Sequence, residues 1–347
     1  MTSKTKTYLY VGSGSWAGTN GAIDVFALNE QTLEPSFIDR VGAGGLASFL
    51  AFDLARHELY AADESLGAVL GFSVDAATGR LTSRDRVKAS GEPVYVELDA
   101  DGGFVLTAHY TQGAVEVFPR RAGGKLGAAV ERRATGDQAH CIRIAPSGRH
   151  VFVPNKGSDT ISQLVFEPAT GKLVPNEAAS EVAVSGGPRH LIFHPREPLA
   201  FASLELGNAV VAFALASDGT LTPVDRKPSL PPGFAGKSTM SDLRLTPSGK
   251  FLYGANRQGD EQGTLVVMAV DPGSGALSVL GHTSTRGRTP RHFALLPEGN
   301  ALFVANRESN NLVSFRVDPS TGALAYAGTT ALDASPFFVG VVRWGAP

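Results

Sequence analysis

Apolar and polar positions alternate with a period of two through AIDVFAL, AVLGFSV, AVEVF, ISQLVF, VVAFAL, LVVMAV and LVSFRV. That period marks a strand with one face turned to a core. Ahead of each lies an apolar run ending in a small or polar pair: LYVGSG, LYAADES, VLTAHY, VFVPNKGSD, AFASLELGN, LYGANRQGD and LFVANRESN. Ahead of that again come segments closing on Pro or Asp, as in FLAFD, YVELD, IRIAP, LIFHP, LRLTP and FALLP. Behind the alternating segments, DAATGRLT, EPATGKLV, DPGSGALS and DPSTGALA set Asp or Glu, Pro and Gly at reversal positions and lead into a fourth short strand.

The four-segment unit repeats. Taking the residue just after the second strand as a marker gives Gly14, Glu64, Tyr110, Lys156, Glu205, Arg257 and Arg307, spaced 46 to 52 residues apart. Four short strands at such a period predict the blades of a β-propeller. Seven markers predict seven four-stranded blades in an all-β fold, with residues 1–347 forming one domain and no linker. The N-terminal TYLYVG reads as a second strand without a first, and the C-terminal SPFFVGVVRW as a first strand without a second. Shared in one blade, they close the ring and remove the sheet edge an open array exposes.

Composition narrows the function. The chain has 40 Gly, 21 Pro and 43% hydrophobic residues, as a turn-rich globular protein requires. A formal net charge of −2 supplies no field to draw in nucleic acid, so anion binding has to come from a local cluster. A single cysteine, Cys141, allows no internal disulfide and fits a reducing, cytoplasmic setting. The run after the N-terminal lysines is too short for a signal-peptide core, and no apolar run reaches the length of a membrane span. Oligomeric state is not legible.

In such a blade the loop leading into the first strand and the loop leaving the second share one end, so two rings of residues face one mouth. The leading positions are Ala47, Pro93, His140, Arg189, Ser241, Arg291 and Phe337, followed by Ser48, Val94, Cys141, His190, Asp242, His292 and Phe338. With the markers, they gather His140, Lys156, Arg189, His190, Glu205, Arg257, Arg291, His292 and Arg307 on four successive blades. Guanidinium groups bind phosphate and carboxylate oxygens in a fork, and a carboxylate beside a histidine offers an acid–base pair. The simpler alternative is that Glu205 only neutralises Arg189. His57, His150, His194 and His282 are expected at turns or outer strands, in solvent. A Cys141–His140 nucleophile pair is set aside because adjacent strand residues point to opposite faces. GSGSWAG opens no helix and lacks the Lys-Ser/Thr of a phosphate loop, so it reads as a turn.

GGPRHLIFHP, the ELGN after its partner strand, the D-x-x-T/S-G-x-L turns and QAHCIRIAPSGRHVFVPN together resemble the seven-bladed propeller lactonases. That group includes bacterial 6-phosphogluconolactonases and fungal 3-carboxy-cis,cis-muconate lactonising enzymes. The resemblance spans nearly the whole chain and implies a site of a histidine, the arginine of PRH, the glutamate of ELG and a further arginine. These fall on His140, Arg189, Glu205 and Arg257. The opening YVGSGS and the turn Asn155-Lys156-Gly157-Ser158-Asp159 depart from the family pattern.

The expectation is a metal- and cofactor-independent lactonase acting on a small anionic sugar lactone, 6-phosphogluconolactone above others. His140, Glu205 and Arg189 are its candidate catalytic residues, either Glu205 or His140 activating water. Lys156, His190, Arg257, Arg291 and Arg307 are its candidate substrate-binding residues. Metal is not expected among so many cations, with Glu64, Glu205 and Asp242 the few nearby carboxylates. Two alternatives stand beside it: lactonisation of a carboxymuconate, and a propeller that binds a partner or small anion without turnover.

Overall fold

A computed structural model describes residues 6–18, 20–259 and 261–345. Residues 1–5, which carry part of the signal-peptide argument, lie outside that set. The chain forms seven antiparallel sheets, each wound outward from an inner strand. Blade one joins Pro336–Arg343 to Thr7–Ser13, Gly21–Asn29 and Glu34–Gly44, so the two chain ends complete one sheet as the sequence predicts. Blades two to seven follow in order, with inner strands Ala47–Asp53, Pro93–Leu98, Arg143–Ile144, Pro188–Phe193, Thr239–Leu245 and Pro290–Leu295.

Blade four departs from the four-strand plan. Lys172–Pro175 and Glu181–Ala183 both pair with Thr160–Glu167, so its outer strand is interrupted. The break follows Pro175, which has no N–H of its own to give to the ladder. The chain loops out at Asn176 and returns, with Asn176 N donating to Gln163 O and Gln163 N to Ser180 O.

The core lies between neighbouring sheets. Phe118, Phe152, Phe201 and Phe213 are fully buried there, each contributing about 1.5–3 kcal/mol relative to exposure. The outer-strand turns lock onto the preceding blade through glycine. Gly79, Gly171, Gly219 and Gly322 have φ of 71–85°, and a Cβ on any of them would strike the ring of Tyr8, Phe104, His150 or Phe251 respectively.

That pattern corrects the expectation for two histidines. His150 stands where other blades place an aromatic ring and is buried against the Gly219 turn. His194 is buried too, its Nδ1 accepting the amides of Arg196 and Glu197. His57 and His282 are half-buried, His282 Nε2 facing Ser229 O at 3.0 Å.

The leading ends of the inner strands are irregular. Register shifts lie between Ala47 and Phe49, Pro93 and Tyr95, Pro188 and Leu191, Met240 and Leu243, and Pro290 and His292. A bulge sets two residues of one strand against one of its partner and re-aims their side chains. Strict alternation therefore fails at the mouth, and Arg189 and His190 touch one another. Below them a layer of rings crosses the channel: Phe49 packs on Tyr95, His190, His292 and Phe338 at centroid distances of 3.9–5.9 Å.

Candidate functional site

The site is built on the crossing of two glycine loops in blade five. Gly186 and Gly187 have φ of 108° and 71°, and a Cβ on Gly186 would lie 3.2 Å from the Cα of Gly207. Only glycine allows this approach without strain. It lets Glu205 N donate to Gly187 O at 2.7 Å and Gly207 N to Gly186 O at 2.8 Å. Asp159 holds the same loop, its Oδ1 accepting the amides of Gly186 and Gly187. The strand that follows Gly187 carries Arg189, and Glu205 opens the turn after Leu199–Leu204, so the crossing sets the two side chains together.

Glu205 is enclosed by cations. Its Oε2 lies 2.9 Å from Arg189 Nε, and its Oε1 lies 3.1 Å from Lys156 Nζ and 3.2 Å from Arg257 NH2. Arg189 Nε is an ion-pair partner by distance, but its N–H is not aimed at the oxygen, leaving that donor without a hydrogen bond. Burial works against the Glu205 charge, but Arg257, Arg189 and Lys156 outweigh it and hold the carboxyl far below the usual carboxylate range. A carboxylate so stabilised is a poor proton acceptor. His140 is weakened as a base as well, but it is held neutral and not ion-paired. Burial first, then Arg189 and His190, push its pKa well below that of free imidazole, and its buried Nδ1 has no hydrogen-bond partner among the described residues. It packs edge-on to Tyr110 and His190.

His190 turns away from the mouth. Its Nδ1 lies 2.8 Å from Asp242 Oδ1 and its Nε2 3.1 Å from Arg189 NH1. Burial and Arg189 hold it neutral, so Nδ1–H donates to Asp242 and Nε2 accepts from Arg189. Arg189 NH1 also donates to Ser241 O at 2.8 Å, which fixes the guanidinium from two sides. Asp242, placed near Glu205 by the sequence argument, is fully buried in the channel instead. It is engaged by His190 and Arg244 and accepts the amide of Phe293. Among the described residues no three His, Cys, Asp or Glu side chains converge as a metal site requires.

Arg291 and Arg307 occupy a separate wall of the mouth. Arg291 lies over the rings of Trp16 and Phe337 at 5.5 and 4.9 Å, and Arg307 over the same rings at 4.7 and 5.7 Å. Trp16 stands edge-on to Phe337 at 4.9 Å and donates its Nε1–H to Glu64 Oε1 at 2.7 Å. The nine residues singled out from the sequence are thus divided: His140, Lys156, Arg189, Arg257 and Glu205 form one cluster, His190 and His292 join Asp242 below it, and Arg291 and Arg307 line the aromatic wall. A groove of about 1490 Å³ elsewhere, lined by His150, Glu167, Asn176 and Asp218, contains none of them.

The profile of the family described as Lactonase, 7-bladed beta-propeller matches residues 8–341. The chain belongs to this family. It is 29% identical over 327 residues to the 6-phosphogluconolactonase of Bacillus subtilis, covering 90% of this chain and 91% of that one. The 6-phosphogluconolactonase of Pectobacterium carotovorum is 30% identical over 276 residues, 79% of this chain and 81% of its own. Among solved structures, the periplasmic gluconolactonase of Pseudomonas aeruginosa superposes with a TM-score of 0.91 at 28% identity, covering 98% of this chain and all of that one.

Two groups of site residues escaped the sequence argument. Trp16 sits in the segment read only as a turn, and its signal was an aromatic residue in an otherwise small, polar loop. The second group is the asparagine just before the markers Lys156, Arg257 and Arg307. Asn155, Asn256 and Asn306 are fully buried and tie the marker loops down, Asn256 Nδ2 donating to Ser229 O at 2.7 Å and Asn306 Nδ2 to Thr285 O at 3.0 Å. An Asn recurring at the end of an apolar strand was the available signal.

Proposed function

We propose that the chain hydrolyses an anionic sugar lactone, 6-phosphogluconolactone first among them, without metal or cofactor. The observation that carries this reading is Glu205 held by Arg189, Lys156 and Arg257 beside a neutral, unpartnered His140. His140 takes a proton from water as its oxygen attacks the lactone carbonyl carbon. The developing oxyanion is stabilised by the Arg189 and Arg257 guanidinium groups, which are already fixed and need no reorganisation. As the ring C–O bond breaks, the imidazolium returns the proton to the leaving ring oxygen. Glu205 holds the cations in place and stays ionised throughout. A divalent ion beside Glu205 would be repelled by Lys156, Arg189 and Arg257, which supports a metal-free site.

The whole of residues 1–347 works as one propeller domain in this reading, in the cytoplasm, in carbohydrate metabolism and with no nucleic-acid or membrane partner. Purified protein is expected to accelerate opening of 6-phosphogluconolactone at neutral pH, equally after EDTA treatment. Arg189→Ala or Glu205→Gln retaining full activity overturns the assignment of the site. Turnover of a carboxymuconate in a parallel assay, with none of 6-phosphogluconolactone, replaces hydrolysis by lactonisation. Binding of the sugar acid without any turnover leaves a binding propeller.

A further inference from the structure

Much of what fixes the Glu205 cluster comes from one irregular stretch of blade six. Its inner strand shifts register between Met240 and Leu243, and Met240, Ser241 and Asp242 each hold a part of the cluster. Met240 N donates to Glu205 O at 2.9 Å, and Met240 O accepts from Arg257 NH2 at 3.2 Å. Ser241 O accepts from Arg189 NH1. Asp242 reaches the same guanidinium at one remove, through His190. A bulge re-aims successive side chains, and here it leaves Asp242 fully buried in the channel. Its polar partners among the described residues are His190, Arg244, His292 and the Phe293 amide, with neither Glu205 nor His140 among them.

We propose that Asp242 is a positioning residue: by fixing the tautomer of His190 it keeps Nε2 as the acceptor that, with Ser241 O, aims Arg189 at the lactone carbonyl oxygen. The proposal rests on the lactonase reading, in which Arg189 stabilises the oxyanion, and adds to it a residue that never touches substrate. A guanidinium only donates hydrogen bonds and an ionised carboxylate only accepts them, so a neutral imidazole between the two has to turn its N–H to Asp242 and its bare nitrogen to Arg189. In the other tautomer two N–H groups would oppose one another across the 3.1 Å between His190 Nε2 and Arg189 NH1, and the guanidinium would lose one of its two supports. The aim of Arg189 counts only as charge develops on the carbonyl oxygen. A fault in it therefore shows in kcat and leaves KM.

The test is a mutant cycle on 6-phosphogluconolactone. Asp242→Asn is nearly isosteric but offers one oxygen to the donors His190 Nδ1, Arg244 NH1 and Phe293 N, so its hold on the tautomer is released. It is expected to lower kcat about tenfold to a hundredfold, the cost of misplacing a catalytic group by about an ångström, with KM within about twofold. His190→Phe keeps a ring against Phe49 and Tyr95 and removes both nitrogens; it should lose as much, and it carries the cycle if Asp242→Asn does not fold. In an Arg189→Met background neither change should cost anything further, since both act through that guanidinium. Losses that multiply in that background, or wild-type kcat in a folded Asp242→Asn protein, overturn the proposal. Proton–nitrogen correlation spectra read the tautomer directly: Nδ1–H is expected in the wild type, with a shift toward Nε2–H in Asp242→Asn, and Nε2–H in the wild type overturns the proposal whatever the rates. If no lactone is opened, the lactonase reading fails, and the hold of Asp242 on Arg189 is read from the Arg189 Nε–H resonance. A shift of that resonance in Asp242→Asn sustains the hold; an unmoved one removes it.

Discussion

Two clusters of arginines and carboxylates lie in this propeller, and they are put together differently. In blades two and three, Asp53 and Glu58 are bound by Arg56, Arg84 and Arg120. Backbone carbonyls of Asp101, Gly102 and Gly124 and the Tyr60 hydroxyl take further guanidinium N–H groups. Arg84 Nε and Arg120 Nε lack hydrogen-bond partners among the described residues, but each of the three guanidinium groups pairs with a carboxylate. At the mouth, five cations gather around few carboxylates, and Arg291 has no ion pair among the described residues. A structural cluster closes on itself; one built for a ligand leaves charge over. The contrast separates the two by accounting for partners, where residue type alone would class them together.

The largest expected effects are on turnover. His140→Ala is expected to lower kcat by about 10²–10⁴-fold, the usual contribution of general acid–base catalysis. Glu205→Gln is expected to cost about 10²–10³-fold, because Arg189 and Arg257 lose the anchor that aims them at the oxyanion. Both are read from initial rates on 6-phosphogluconolactone, with circular dichroism checking the fold. Glu58→Gln, in the other cluster, should leave kcat within about threefold while costing about 3 kcal/mol of stability in a urea titration, as a broken buried ion pair does. A variant at Glu58 that loses turnover without losing stability would erase the distinction.

The next effect is in pH. A general base has to be deprotonated, and burial with Arg189, His190 and Arg291 around His140 lowers its pKa, Glu205 opposing them. The acid limb of kcat is therefore expected below the ordinary imidazole value of about 6.5. A limb at or above that value would remove His140 as the base. Stability runs the same way. His140, His190 and His292 are all held neutral in the fold, so the unfolded chain binds more protons once the pH drops below about 6.5. Stability is then fully present above that pH and declines beneath it, as urea midpoints between about pH 7.5 and 5 should record.

The ring itself was legible because a four-strand period repeats seven times and the termini supply complementary strands. The cluster on Glu205 was legible for the same reason: a repeat places equivalent positions at one end, so residue types at those positions can be compared blade by blade. What periodicity could not show is side-chain direction at the irregular positions. The shift between Pro188 and Leu191 joins Arg189 to His190, against the alternation a regular strand imposes. Asp242 was placed on the rim by its number, but its side chain lies in the channel on His190. Trp16 lies two residues past its marker, in the loop that follows every marker strand, but its sister positions, such as Leu66, Gln112, Ser158 and Gly207, share no residue type that would have singled it out. His150 was misjudged because only the neighbouring blade's Gly219 reveals that its position holds a ring.

The smallest effect has the least intuitive sign. Removing an arginine from a structural cluster should destabilise, since the carboxylates and carbonyls it satisfied stay behind. Arg291 satisfies no carboxylate, and its own charge is disfavoured by burial and by three neighbouring arginines. Arg291→Met keeps a long apolar stem against Trp16 and Phe337 while removing that charge. It is expected to raise stability by about 0.5–1 kcal/mol, the scale of a relieved charge at a functional site. Arg120→Met should lower it, because Arg120 serves Asp53, Glu58 and Gly102 O at once. The gain should vanish when inorganic phosphate is present, since phosphate then stabilises only the wild type, by mass action on the folded state. Thermal unfolding of both variants with and without phosphate reads all of this in one series. An Arg291→Met protein less stable than the wild type in phosphate-free buffer would mean that the mouth, like the blade-two cluster, is already balanced by the protein alone.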